Sequence, residues 1–386
     1  MRAHSTTLAG LTAALAGFAS TSAVVLAGLT AVGATPAQAA SGLVAVCIGQ
    51  ALAMLWLAPR TRIPVLVAWS TPGAALLASG AEPVGGFAVA VGAFLLVAAL
   101  IVLTGVWPLL ARAVAAIPAT IAQAMLAGVL VGLCLEPVRG VLEDPWRVVP
   151  IVAVWLVLSR VAPTWAAPAA FAVAVAILGV QAALSGGVSG PVLPALELVP
   201  PRLSAEAVVG IALPVYVVTM ASQNVPGSAI LASYGYRVPW REAMTVTGIG
   251  TALVAPLGGV ALNLGAITAA ITASPDAHPD PAERWKGVRT TGFAYLVLAL
   301  GATALTSLAH VAPAVLGAVA GLALIPTLAS SLAGAMGSGA PGHRTAAGVT
   351  FVVGASGVTI AGIGAAFWAL AAGLVVYAAL AWRRDT

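Results

Sequence analysis

The amino-acid sequence predicts an all-α membrane protein of fourteen transmembrane spans, built as a seven-plus-seven inverted repeat. Three observations lead there. Of 386 residues, 61% are hydrophobic and only 7% charged, whereas a soluble domain carries about 25% charged residues. At about 20 residues per crossing, the length allows roughly 12–14 spans. Polar interruptions with glycine or proline recur at matching places in the two halves, and the basic residues sort to one side only when fourteen spans are drawn.

Span 1, about Leu8–Val32, carries Ser20-Thr21-Ser22 at its centre. Arg2 and Ala37-Gln38-Ala39 imitate a secretory signal, but the apolar run exceeds the 7–15 residues of a signal core and reads as a retained span. Span 2 is about Ala39–Leu57, closed by Pro59, Arg60 and Arg62. Span 3, about Ile63–Ala78, is interrupted by Trp69-Ser70-Thr71-Pro72-Gly73. Spans 4 to 7 follow at about Gly85–Trp107, Val114–Leu135, Val148–Val161 and Ala166–Leu184, and the Gly- and Pro-rich stretch from Gly186 to Pro201 is the midpoint linker. Span 8, about Ala205–Asn224, ends in Ala221-Ser222-Gln223-Asn224-Val225-Pro226-Gly227. Three polar side chains and a proline in an apolar run need partners, because buried polar groups are costly and proline removes an N–H. Spans 9 to 14 are about Ala243–Pro256, Gly258–Ala273, Thr290–Leu308, Pro313–Ala335, Ala346–Gly362 and Gly364–Trp382.

The halves align on Ser20 with Ser222, Ser70-Thr71-Pro72-Gly73 with Leu262-Asn263-Leu264-Gly265, and Pro118 with Pro313, at spacings of 202, 192 and 195 residues. An odd number of spans per repeat inverts the second half, and paired interrupted spans in inverted halves point to a transporter site. With both termini cytoplasmic, thirteen of the sixteen Lys and Arg fall inside; only Arg139, Arg147 and Arg202 fall outside. That is the positive-inside pattern, and it places the chain as a multi-pass protein of the cytoplasmic membrane.

Composition also excludes. The net charge of +5 comes from scattered single residues, so nucleic acid is not a partner. No cluster of acidic residues lies inside a span, which argues against an intramembrane enzyme, and interrupted spans favour one occluded site over a channel lining. Cys47 and Cys134 read as buried thiols. Asp276, His278, Asp280 and Glu283 resemble metal ligands, but Asp280-Pro281-Ala282-Glu283 reads better as a helix start, with Asp280 as N-cap and Glu283 closing a capping box. No metal or cofactor is expected.

Several stretches together resemble the benzoate membrane transport family. They are Met220-Ala221-Ser222-Gln223-Asn224-Val225-Pro226-Gly227, the run from Ala255 through Asn263 to Ile271, the loop Pro275–Pro281, and Ala355–Thr359 with Gly362–Trp368. The resemblance implies a benzoate/proton symporter sharing its fold with nucleobase transporters. It also implies a core domain of spans 1–4 and 8–11 (residues 1–110 and 203–310) and a gate domain of spans 5–7 and 12–14 (residues 111–190 and 311–386). Substrate would sit between half-helices of spans 3 and 10. The alternative is a nucleobase or other organic anion on the same fold; a homodimer is compatible with either. Where nucleobase relatives use glutamates, this chain has Gln223, Asn224 and Asn263, and a site without carboxylates suits an anionic substrate.

The expected substrate-binding residues follow. Half-helix N-termini offer unpaired N–H groups and a favourable dipole. Gly73 and Gly265 allow close approach there. Ser20, Ser70, Thr71, Ser222, Gln223, Asn224 and Asn263 supply hydrogen bonds. Leu264 and Ile267 hold the ring, with Trp69 either joining them or anchoring at the membrane surface. Serines can equally bond back to their own helix, and Asn263 can equally join helices. For the proton, Glu206 is the intramembrane candidate ahead of His310 and Glu136, against a helix-start role for Glu206 or carriage by benzoate itself.

Overall fold

The computed structural model describes residues 5–184, 187, 193–309, 312–337, 341–360 and 363–382. Arg2, His310, Gly362, Arg383, Arg384 and part of the midpoint linker lie outside them. The protein is a bundle of helices, and among the described residues eight are long and apolar enough to cross a membrane. Helices α1 (Thr6–Ala31) and α2 (Pro36–Thr61) form an antiparallel pair joined by a tight turn. Thr35 and Gln38 start α2 as a reciprocal capping box. Pro59 does not stop α2, which continues to Thr61.

The interruption of span 3 is a three-residue strand, β1 (Val67–Trp69), followed by the short helix α3 (Thr71–Ala78). Next come α4 (Phe87–Val106), α5 (Pro108–Ala115), α6 (Ala119–Cys134), α7 (Glu136–Glu143), α8 (Pro145–Val161) and α9 (Pro163–Leu184). In the second half, α10 (Ala205–Ser233) precedes α11 (Trp240–Val254), the strand β2 (Leu262–Leu264) and the short helix α12 (Ile267–Ala273). Helices α13 (Trp285–Ala309), α14 (Pro313–Met336), α15 (Pro341–Ala355) and α16 (Ala365–Trp382) complete the chain.

One sequence expectation is corrected here. Helix α10 does not end at Asn224: it runs through Pro226 to Ser233. Two π-turns, Val208–Ala212 and Met220–Asn224, each end two residues before a proline, Pro214 and Pro226. A proline ring clashes with the carbonyl four residues back; the extra residue of a π-turn opens that contact and lets the helix pass. β1 and β2 pair antiparallel, with Val67 opposite Leu264, Ala68 opposite Asn263 and Trp69 opposite Leu262. Ala68 therefore faces Asn263 across the ladder.

The helices pack in two groups. In one, α13 lies against α2 and α1, and α4 against α11; in the other, α14 and α15 pack on α6, α15 on α16, and α8 on α9. Small residues set the close approaches in the first group. A Cβ on Gly28 of α1 would lie 2.4 Å from the Ala74 carbonyl oxygen of α3. Gly28→Ala is therefore expected to cost about 1–3 kcal/mol through overpacking against backbone. Gly132→Ala, where a Cβ meets open space, should be neutral or stabilising. Melting temperatures from fluorescence-detected size exclusion separate the two.

Candidate functional site

The two strands meet tip to tip inside the bundle, and their pairing explains how irregular backbone survives there. Strand backbone buried in an apolar interior needs every N–H and C=O satisfied. The ladder is extended by Ser70 N–H to Ala261 O (2.7 Å) and Gly265 N–H to Leu66 O (2.9 Å). On the far side of β2 there is no third strand among the described residues. Side chains from flanking helices take its place: Thr251 Oγ1 of α11 accepts from Leu262 N–H (2.9 Å), and Asn224 Oδ1 of α10 accepts from Leu264 N–H (2.8 Å). Such side-chain acceptors close an edge that would otherwise carry bare donors.

Between the strand tips and the second packing group lies a cavity of about 370 Å³. One wall comes from α1, β1, α3, α12 and α13; the facing wall comes from α6, α9 and α14, including Pro163, Pro168, Leu324 and Pro326. Its aromatic side is Trp69 and Tyr295, whose rings meet edge to face at 5.6 Å. Phe18 stacks edge-on behind Trp69 at 6.2 Å. The Trp69 indole N–H donates to Thr21 Oγ1 (2.8 Å), which fixes the ring plane. Trp69 is only 2% exposed, so it is a wall of the cavity and not a surface anchor.

Besides Trp69, four of the expected substrate-binding residues border the cavity: Ser20, Thr71, Gln223 and Gly265. Ser20 Oγ donates back to Ala16 O (2.5 Å), leaving its oxygen lone pairs for the cavity. Gln223 Oε1 accepts from Ala266 N–H (3.4 Å), so its NH₂ group is the available donor. The others stand behind this wall. Ser70 is fully buried, caps α3 by accepting from Gly73 N–H (3.1 Å), and shares a hydrogen bond with Thr219 (2.7 Å). Ser222 donates to Val218 O within its own helix (2.5 Å). Asn263 is fully buried; with its amide oxygen and nitrogen exchanged, the orientation its neighbours favour, it donates to Ala68 O (3.2 Å) and Leu264 O (3.1 Å) and accepts from Ser70 N–H (3.2 Å). Leu264 is buried in β2, and the side chain of Ile267 lies outside the described residues.

A Cβ on Gly73 would lie 2.8 Å from Ser70 Oγ and 3.3 Å from Val215. Helix packing and the cap therefore require glycine at Gly73, on the side away from the cavity.

The whole chain fits one family. Residues 2–379 match the family model described as benzoate membrane transport protein. The chain belongs to the benzoate membrane transport protein family. Within reach of that family, the inner membrane protein YdcO of Escherichia coli is 38% identical over 380 residues, covering 97% of this chain and 95% of the relative. The benzoate membrane transport protein of Acinetobacter baylyi is 29% identical over 339 residues, covering 86% and 84%. Among solved structures, the transmembrane domain of a cyanobacterium bicarbonate transporter, BicA, superposes with TM-score 0.61 at 16% identity, covering 96% of each chain. The murine anion transporter Slc26a9 in its inward-facing state gives 0.62 at 13% identity, covering 98% of this chain and 68% of that one. These two likenesses concern the fold alone.

As a member of the benzoate membrane transport protein family, the chain is a multi-pass membrane transporter and not an enzyme. Sequence reasoning missed three of its residues. Tyr295 comes from α13, where nothing marks an aromatic in a long apolar run as facing inward. Thr21 has no assigned role in the sequence yet orients Trp69, and Thr251 gives no signal because its acceptor role exists only beside β2.

Glu206 lies in the first turn of α10 on a separate cavity of about 100 Å³ that also borders Glu82, Ser204 and Thr359. In the loop after α12, Asp280 caps a short turn by accepting from Ala282 N–H (2.9 Å). Glu283 does not close the expected box. It pairs with Lys286, while the Asp280 N–H is taken by His278 Nδ1 (3.1 Å). Arg284, 4% exposed, donates to the carbonyls of Ala273 (2.8 Å) and His278 (2.7 Å) and ties this loop to the end of α12.

Proposed function

We propose that this transporter carries benzoate or a similar small aromatic carboxylate into the cell together with a proton. The reading rests on one observation: a 370 Å³ cavity with an aromatic side, Trp69 and Tyr295, and neutral polar groups, Thr71, Ser20 and Gln223. Edge-to-face packing suits a flat ring, and hydroxyls with an amide suit a carboxyl group. The family description and the name of the Acinetobacter relative support the same substrate class.

In this proposal the chain has fourteen spans in a seven-plus-seven inverted repeat. Residues 1–110 and 203–310 form a core that carries the site, and residues 111–190 and 311–386 form a gate. Both termini are cytoplasmic. Matching strand-then-helix units at the two interruptions, and prolines opening α6 and α14, support the repeat. Thr71, Ser20, Gln223 and Gly265 face substrate in this scheme. Ser70, Asn224 and Asn263 hold the corners that present them.

Proteoliposomes should accumulate labelled benzoate above the protein-free control, and more so with an inward proton gradient. Absence of benzoate uptake, alongside saturable uptake of uracil, overturns the assignment.

A further inference from the structure

Resting on the aromatic-acid reading, we propose that the site takes its substrate as the uncharged carboxylic acid, so that the coupled proton rides on the substrate and not on the protein. No residue lining the large cavity is an Asp, Glu, His, Lys or Arg among the described residues. A buried carboxylate needs a cation or several strong donors to stay ionised. Six of the backbone donors at the two interruptions, Ser70, Gly73, Ala74, Leu264, Gly265 and Ala266, are already engaged. Gly73 N–H is bound to Ser70 Oγ (3.1 Å), Ala74 N–H to Ser70 O (2.8 Å), and Pro72 has none. On the other side, Leu264 N–H is bound to Asn224 (2.8 Å), Gly265 N–H to Leu66 O (2.9 Å) and Ala266 N–H to Gln223 (3.4 Å). The helices that begin there are only eight and seven residues long, and a helix end adds a partial charge, not the full charge of a cation.

What the cavity does offer is neutral polar groups: the amide NH₂ of Gln223 and hydroxyls, among them those of Ser20, Thr71, Thr164, Thr268 and Thr327. A carboxylic acid asks for that set: one donor for its carbonyl oxygen and one acceptor for its O–H. The proton joins a carboxylate oxygen in the water on the side of entry, crosses with the acid, and returns to water on the side of release. No protein group gains or loses it. Transport is then electroneutral, with one proton for each acid, and Glu206, on its separate cavity, takes no part.

The test uses purified full-length protein in detergent and three ring compounds of like shape, with binding read from intrinsic tryptophan fluorescence. Benzoate titrates, benzamide stays neutral and benzenesulfonate stays anionic. Between about pH 5.5 and about pH 7.5 the benzoate Kd should rise about tenfold per pH unit. Benzamide should bind with a Kd that does not change with pH, and benzenesulfonate should not compete. A pH-independent benzoate Kd with benzenesulfonate competing overturns the proposal and leaves the aromatic-acid reading standing. Equal pH dependence for benzamide and benzoate assigns the titration to the protein and also overturns it. Binding of uracil with no binding of benzoate at any pH overturns both.

Discussion

Trp69→Ala is expected to abolish saturable benzoate uptake and to lower stability by about 3–5 kcal/mol, the range for truncating a buried aromatic. The ring is 2% exposed, meets Tyr295 and Phe18 edge to face, and is pinned by the hydrogen bond to Thr21. Because the alanine variant can fail to fold, Trp69→Phe is the sharper probe. It keeps a ring and most of the buried area but loses the N–H donor, worth about 0.5–1.5 kcal/mol. Its expected signature is a folded transporter whose KM for benzoate rises severalfold while maximal uptake changes less. Thr21→Val, which removes the acceptor and keeps the shape, should reproduce that signature. An unchanged KM in both variants would remove Trp69 from the substrate wall.

The second large effect is expected at the edge of β2. Asn224→Leu leaves Leu264 N–H buried without an acceptor, and Thr251→Val does the same to Leu262 N–H. Each orphaned donor costs about 1–3 kcal/mol. Both variants should therefore melt at lower temperature. Their effects on transport should differ. Leu264 adjoins Gly265, which borders the cavity, whereas Leu262 is two residues farther back. We expect Asn224→Leu to weaken benzoate binding about tenfold and Thr251→Val to change it little once both are compared well below their melting temperatures. Equal losses of affinity would mean that the strand shifts as a unit and that Asn224 has no special hold on the corner. Binding titrations with benzamide and benzoate on the same samples make the comparison.

Much of this was legible in the sequence for simple reasons. Low charge and long apolar runs declare membrane helices, since lipid accepts little else. The interruptions at Trp69–Gly73 and Leu262–Ala266 stood out because polar residues beside glycine or proline do not fit a lipid-facing helix. What sequence could not give was the direction each polar side chain takes. Asn224 and Asn263 look like substrate ligands when read as donors in lipid, yet both are spent on strand backbone, because a broken helix must satisfy its own amides first. Pro226 looked like a terminator because nothing local announces a π-turn. Tyr295 was invisible because its importance comes from a neighbour, Trp69, that is distant in the chain.

The ladder between β1 and β2 joins two segments almost two hundred positions apart, one from each half of the chain. With Asn263 bridging its strands and Thr251 and Asn224 sealing its border, the ladder leaves neither corner free to slide past the other. Thr71 on one corner and Gly265 on the other therefore keep a fixed separation while the ladder is intact. The ladder thereby sets the width of the seat that the proposed function gives to substrate, and a substrate of another width would have to break the ladder to fit.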